Sequence, residues 1–194
     1  MRDGIDVEFR EVGMRDGLQN VEGFFPTVAK IAWMKAEVAS GMHAIEICSF
    51  VPPKLIPQFK DAAEVVEATH ATDTGDCIIS ALIPNMKGAE RGVELGMKKL
   101  NFVASVSETH NLSNVRRKPE ESIEDFRRIV EMRNALPDQQ KFVIDGGLST
   151  AFGCTMEGNV DPTATVKLAQ QFVEAGADHL TVCDTVGYAN PKQV

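Results

Sequence analysis

Residues 27–50 read TVAKIAWMKAEVASGMHAIEICSF and contain one complete helix-then-strand unit. Apolar positions three and four residues apart predict a helix from Thr27, a candidate N-cap, through Ala39. Gly41 is typical of the position just past a helix end. The run Ala44–Phe50 is almost continuously apolar, which predicts a strand buried on both faces of a parallel sheet.

The same unit recurs along the whole chain. Further apolar, β-branched runs predict strands at Val7–Val12, Cys77–Ile83, Leu100–Val106, Phe142–Ile144 and Leu180–Cys183. Helical patterns lie between them, at Ala62–Ala68, Ala89–Leu95, Ile123–Val130 and from Asp161, an N-cap before Pro162, to just before Gly176. This alternation predicts right-handed βαβ units around a parallel sheet, and therefore an α/β protein.

Two α/β architectures fit this alternation: an open doubly wound sheet and a (β/α)8 TIM barrel. No G-x-G-x-x-G motif follows the first predicted strand, so the dinucleotide-binding open sheet loses its main support. Polar residues instead follow or end most predicted strands, at Arg15-Asp16, Glu46, Ser49, Asn85, Ser105, Ser107, Ser149 and Asp184. In a barrel all strand ends face one mouth, which favours the barrel.

About six βα units can be counted, whereas a complete barrel takes about 250 residues. The chain has 194 residues and shows no linker or repeat. We therefore expect residues 1–194 to form one catalytic barrel domain that is incomplete at its C-terminus.

The composition is that of an ordinary globular protein, 43% hydrophobic and 25% charged, with net charge −8. This charge argues against nucleic-acid binding, and the short basic cluster Arg116–Lys118 is interpreted as a solvated loop edge. The absence of a long apolar run and of a signal-like start predicts a cytoplasmic protein without membrane contact. The scattered Cys48, Cys77, Cys154 and Cys183 are expected to be free thiols.

Three acidic residues and one arginine are the candidates for chemistry. Asp16 can bind a hard divalent cation, and the adjacent Arg15 can stabilise an oxyanion, although such a pair is also a common surface ion pair. Glu46 lies inside a buried strand, where it must either pair with a core cation or face a polar cavity with Arg15. Asp184 ends the last predicted strand and is a candidate base.

The histidines and Cys154 carry weaker signals. His43, His70, His110 and His179 show no metal-ligand spacing, so structural roles are favoured. His110 is placed in a loop after the fourth strand, from which it can reach a ligand. Cys154 lies near the mouth, and nothing in its local sequence marks it as a nucleophile with a lowered pKa, so it is interpreted as packing.

The stretch EVGMRDGLQN at residues 11–20 resembles the opening signature of the 3-hydroxy-3-methylglutaryl-CoA lyases, in the DRE-TIM metallolyase superfamily. The resemblance keeps its order along the chain. It continues at residues 45–46, 49–51, 53–54, 57–58, 84–85, 87–88, 153–154, 157–158 and 184–187. Leu18-Gln19-Asn20 favours the lyases over the synthases of this superfamily.

The resemblance implies a divalent-metal-dependent carbon–carbon lyase that performs retro-Claisen cleavage of an acyl-CoA substrate, as a homo-oligomer. Asp16 would be the ligand of Mg²⁺ or Mn²⁺, and Arg15 would stabilise the acetyl-CoA enolate. Glu46 would orient Arg15, and Asp184 would assist proton transfer. Gln19, Ser49 and Asn85 would contact the substrate.

Departures from the family pattern leave alternatives open. The H-x-H metal ligands of the family are not found in residues 1–194, Pro52 replaces a usual Ser, and Asp145-Gly146-Gly147 replaces a more polar pattern. A Claisen-condensing synthase acting on a 2-oxo acid and acetyl-CoA is one alternative. A catalytically silent barrel fragment is another.

Overall fold

The structure, a computed structural model, describes residues 8–194 and is built around a parallel sheet. Six strands pair in the order β1-β2-β3-β4-β5-β8, and every neighbouring pair is parallel. These strands are β1 (Arg10–Glu11), β2 (Ala44–Ser49), β3 (Ile78–Ile83), β4 (Lys99–Ser105), β5 (Val143–Ser149) and β8 (His179–Val182). A small antiparallel hairpin of β6 (Gly153–Cys154) and β7 (Gly158–Asn159) follows β5.

Helices connect the strands of this sheet in chain order, as parallel pairing requires. They are α1 (Thr27–Ala39), α2 (Ala62–His70), α3 (Met86–Glu94), α4 (Glu108–Val115), α5 (Pro119–Ala135) and α6 (Pro162–Glu174). A single π-helical turn, Gly13–Gly17, follows β1. None of the helices in residues 8–194 is long and apolar enough to cross a membrane.

The sheet is curled into a half-barrel rather than open. Arg10 on β1 forms an ion pair with Asp145 on β5, with 3.3 Å between Nη2 and Oδ2. Four strand spacings of about 4.8 Å would hold β1 and β5 about 19 Å apart in a flat sheet, beyond the reach of two side chains. The contact across the concave face therefore confirms the predicted TIM-barrel architecture.

The two faces of the curled sheet have opposite chemistry. The convex face packs against the helices, where Phe102, Phe126 and Phe172 of β4, α5 and α6 form an edge-to-face cluster with ring centroids 4.9–6.2 Å apart. The concave face carries buried Glu46, Ser80, Asn101 and Asp145 instead of the branched apolar layers that usually fill a barrel.

The structure corrects several predicted boundaries. Thr27 is the first residue of α1 and caps nothing, because Pro26 precedes it as N-cap. β5 extends to Ser149, five residues beyond the predicted Phe142–Ile144, because its two glycines interrupt the apolar pattern. Residues 108–115, interpreted as loop, form α4. Of the predicted first strand, Val7 lies outside the described residues.

Other predictions are confirmed. Asp161 caps α6, and its Oδ1 accepts a hydrogen bond of 2.8 Å from the N–H of Thr163. Gly41 has a φ of 82° just beyond α1, a conformation that favours glycine. All four cysteines are free.

Candidate functional site

The π-helical turn after β1 places Arg15 and Asp16 at the edge of the sheet where the C-terminal ends of its strands lie. The N–H groups of Arg15, Asp16 and Gly17 all point to the carbonyl oxygen of Val12, at 3.0, 2.7 and 3.4 Å. Gly13 starts this turn against the Trp33 ring, and a Cβ at this position would lie 2.9 Å from Cζ2 of the indole. The backbone therefore turns sharply around one carbonyl and projects two charged side chains in succession.

Arg15 links the exposed Asp16 to the buried Glu46. Its Nη1 lies 2.8 Å from Oδ1 of Asp16, while its Nε donates to Oε1 of Glu46. The Arg15 and Asp16 side chains are 17% and 57% exposed, against 3% for Glu46. Of the two alternatives for Glu46, the structure shows the second: its partner is Arg15 at the barrel mouth and not a core cation.

The second oxygen of Glu46 is held by β4. Nδ2 of Asn101 donates to Oε2 of Glu46 and also to Oγ of Ser80, at 3.1 Å. Asn101 and Ser80 are both buried. Neither residue was among the predicted site residues, although Asn101 gave the same signal as Glu46, a polar residue inside an apolar strand.

A second buried carboxylate lies on the concave face next to Asn101 in the β4–β5 register. Asp145 is 1% exposed and faces Arg10 at 3.3 Å, Nζ of Lys99 at 3.0 Å and Nδ1 of His179 at 3.1 Å. Desolvation makes an unpaired carboxylate expensive at this depth, and the two cations Arg10 and Lys99 compensate its charge. Asp145, in the segment Asp145-Gly146-Gly147 that departs from the family pattern, therefore belongs to a cluster of compensated charges beneath the barrel mouth.

Cys183 and Asp184 follow β8, the last strand of the sheet. Burial raises the pKa of the Cys183 thiol, Glu46 and Asp16 raise it further, and Arg15 and Arg10 oppose them. The following residue, Asp184, faces its own loop, where its Oδ1 and Oδ2 accept hydrogen bonds from the N–H groups of Tyr188 (2.9 Å) and Ala189 (3.1 Å).

The three residues expected to contact substrate lie in different settings. Ser49 is fully buried at the end of β2, and its Oγ accepts a hydrogen bond from the N–H of Val51 at 3.3 Å. Gln19 follows the π-helical turn and is half-buried. Asn85 is the N-cap of α3, and its Oδ1 accepts a hydrogen bond from the N–H of Gly88 at 3.0 Å.

His110 and Cys154 have partners that the sequence did not reveal. Nδ1 of His110, now on α4, lies 2.7 Å from Oγ of Ser105, and burial lowers the pKa of this imidazole. Cys154 is buried, as its packing role predicted. Burial acts to raise the pKa of its thiol, but hydrogen bonds from Ser107 and from backbone N–H groups hold that pKa below its usual value, a shift that nothing in the local sequence indicated.

The basic cluster after α4 is not simply solvated. Arg117 Nη1 pairs with Oδ2 of Asp125 at 2.6 Å, and its Nη2 donates to the carbonyl oxygen of Pro84 at 2.7 Å. This arginine therefore joins α5 to the end of β3, which corrects its interpretation as a loop-edge charge.

The donors for a metal ion are sparse in the described part of the chain. Residues 8–194 contain no group of three or more His, Cys, Asp or Glu side chains that could hold a metal. Asp16 offers one exposed carboxylate, the oxygen donor that hard divalent cations prefer. A single carboxylate ligand is compatible with a divalent cation whose remaining ligands are supplied by other groups.

A parallel sheet curled into a half-barrel, with charged side chains at the C-terminal ends of its strands, defines a protein of the (β/α)8-barrel class. Within that class, residues 6–194 match the HMGL-like family model, and the chain belongs to this family.

Relatives of this chain include named hydroxymethylglutaryl-CoA lyases. It is 36% identical over 188 residues to the hydroxymethylglutaryl-CoA lyase YngG of Bacillus subtilis, covering 97% of this chain and 61% of that protein. It is 33% identical to the mitochondrial hydroxymethylglutaryl-CoA lyase of Arabidopsis thaliana, covering 97% of this chain and 39% of the relative.

Solved structures agree with these sequence matches. An HMG-CoA lyase from Acinetobacter baumannii, in complex with coenzyme A and 3-methylmalate, superposes with a TM-score of 0.85 at 39% identity, over 95% of this chain and 58% of that one. The Bacillus subtilis HMG-CoA lyase gives a TM-score of 0.88 at 34% identity, over 96% and 61%. This chain therefore spans about three-fifths of these lyases.

Proposed function

We propose that the whole protein is a divalent-metal-dependent carbon–carbon lyase. It cleaves 3-hydroxy-3-methylglutaryl-CoA, or a close 3-hydroxyacyl-CoA, to acetyl-CoA and acetoacetate. The observation that carries this proposal is the Glu46–Arg15–Asp16 arrangement at the barrel mouth, in a chain of the HMGL-like family. The relatives named as lyases and the coenzyme A complex support the substrate class.

Arg15 would stabilise the enolate that forms when the carbon–carbon bond breaks. Its Nε is engaged by Glu46 and its Nη1 by Asp16, whereas no residue from 8 to 194 accepts a hydrogen bond from its Nη2. A guanidinium fixed on two sides keeps its remaining N–H groups aimed in one direction, which suits a charge that develops only in the transition state. One contact of this kind typically contributes about 3 to 4 kcal/mol to lowering the barrier.

Asp16 would provide a ligand to Mg²⁺ or Mn²⁺, which when bound polarises the hydroxyl and carbonyl oxygens of the substrate. Asp184, at the end of β8, would assist proton transfer from the 3-hydroxyl group. Gln19, Ser49 and Asn85, which follow or end β1, β2 and β3, would contact the substrate.

We also propose that the protein works as a cytoplasmic homo-oligomer with one catalytic barrel domain that includes residues 1–194. Its bacterial relatives and a cytoplasmic lyase of Danio rerio, 32% identical, support that compartment.

The test is an assay of the whole natural protein with Mg²⁺ or Mn²⁺ and 3-hydroxy-3-methylglutaryl-CoA, following acetoacetate release. A parallel assay supplies acetyl-CoA and a series of 2-oxo acids and follows free coenzyme A. Metal-dependent cleavage without condensation supports the lyase. Condensation without cleavage would identify a synthase instead, and a folded protein inactive in both assays would overturn the proposal.

A further inference from the structure

The carboxylate of Glu46 is divided between two donors on different strands. Oε1 accepts from Arg15, beyond β1, and Oε2 accepts from Asn101, on β4. Glu46 is 2% exposed and Asn101 is 8% exposed, so bulk water does not compete for these contacts. Because each oxygen has its own donor, the direction of the carboxylate plane depends on both.

The amide of Asn101 has only one acceptable orientation. Its Nδ2 donates to Glu46 and to Oγ of Ser80, whereas its buried Oδ1 has no hydrogen-bond partner among the described residues. Turning the amide over would place Oδ1 against a carboxylate oxygen and remove the donor from a buried charge. The fold therefore tolerates an unsatisfied carbonyl to keep the donor on Glu46.

We propose that Asn101 is a positioning residue for Arg15, acting through Glu46. This inference rests on the proposed function, because it assigns a task within the same site. Without the Nδ2 donor, Oε2 of Glu46 is buried and unsatisfied, and the carboxylate turns to share both oxygens with Arg15. The Arg15 guanidinium then no longer points toward the developing enolate, while the exposed Asp16 side chain does not move.

A double-mutant cycle separates this role from simple packing. The variants of the whole natural protein are Asn101→Leu, Glu46→Gln and the two combined, with Ser80→Ala as a control that keeps the Asn101–Glu46 contact. Asn101→Leu is expected to lower kcat by about 10- to 100-fold, because small misplacements cost about two orders of magnitude, and to change KM by less than about threefold. Ser80→Ala should change kcat by less than about threefold, since the net worth of one neutral hydrogen bond is small.

The combined variant gives the decisive comparison. If Asn101 acts through Glu46, adding Asn101→Leu to Glu46→Gln should lower kcat by less than about twofold further. If the effects of Asn101→Leu and Glu46→Gln on kcat multiply in the combined variant, the inference is overturned. An Asn101→Leu enzyme with unchanged kcat would also overturn it.

A structural measurement keeps the test independent of activity. Crystal structures should show the Arg15 guanidinium displaced in Asn101→Leu and unmoved in Ser80→Ala. Should Asn101→Leu fail to fold, Asn101→Ala replaces it; it also removes the Nδ2 donor, and the same displacement is expected. An unmoved Arg15 would overturn the inference, whereas a wild-type protein that cleaves nothing would overturn the proposed function and leave this structural result standing.

Discussion

Glu46 and Ser49 face the same side of the sheet, although they are three positions apart along β2. Their register partners on β3 are Ser80 and Leu82, which are two residues apart and therefore share a face. The register shifts between Glu46 and Cys48, and Ile47 has no partner. This β-bulge brings two predicted site residues onto the concave face, where strict alternation would have separated them.

Gly146 marks a place where the sheet and a helix touch without room for a side chain. A Cβ at this position would lie 2.7 Å from Cγ and Cδ1 of Phe172, whose ring belongs to the convex-face cluster. Gly146→Ala should therefore lower the free energy of unfolding by about 1 to 3 kcal/mol through overpacking. Gly17→Ala is the matched control, since nothing lies within 4 Å of its added Cβ. Urea denaturation of both variants measures the difference, and equal stabilities would contradict this account.

Lys30 and Asp61 form a buried ion pair between α1 and the start of α2. Nζ of Lys30 lies 2.6 Å from Oδ1 of Asp61, and the two side chains are 2% and 4% exposed. Lys30→Met alone should cost about 3 to 5 kcal/mol, because it leaves the Asp61 carboxylate buried and unpaired. The double variant Lys30→Met/Asp61→Leu should recover most of that loss, as measured by chemical denaturation. A double variant no more stable than the single one would show that charge burial is not the cause.

The alternation of apolar runs and helical stripes predicted the class of fold and most of its elements. Segments such as Ala44–Ser49 and Pro162–Glu174 carry strong periodic signals, so their type and order were predictable. The barrel followed from polar residues at strand ends, and the Arg10–Asp145 pair confirms it. These signals are local or repeat along the chain, which is why one sequence suffices to interpret them.

The features that the sequence did not predict depend on neighbours distant in the chain. The bulge at Ile47 follows from pairing with β3, and β5 continues past Gly146 and Gly147 because β4 pairs along its whole length. The role of Asn101 depends on Glu46, which lies 55 residues earlier. Tertiary contacts of this kind have no periodic signature, although a polar residue inside an apolar strand marks where to look.

The buried thiol of Cys48 is expected to make the free energy of unfolding depend on pH in the alkaline range. Burial raises the pKa of its thiol, with Glu46 and Asp61 acting in the same direction. Folding therefore favours the protonated thiol, and its contribution is complete below the unfolded-state pKa, about 8.5 to 9, and is lost as the pH rises above it. Between pH 9 and 10.5, the free energy of unfolding should fall less steeply with pH in Cys48→Ala than in the wild type. The difference between the two slopes should be up to about 1.4 kcal/mol per pH unit. Parallel slopes in urea denaturation would contradict the raised pKa.

The roles proposed for Arg15 and Asp16 can be separated by two substitutions in the whole enzyme. Arg15→Lys keeps a positive charge but loses the planar fork that contacts Glu46 through Nε and Asp16 through Nη1. We expect its turnover of 3-hydroxy-3-methylglutaryl-CoA to fall by about two orders of magnitude or more, with Mn²⁺ affinity nearly unchanged. Asp16→Asn removes a carboxylate from a hard cation, so metal affinity and turnover should fall together. Titration calorimetry with Mn²⁺ and steady-state kinetics make the comparison, and full turnover in Arg15→Lys would show that this guanidinium does not stabilise the enolate.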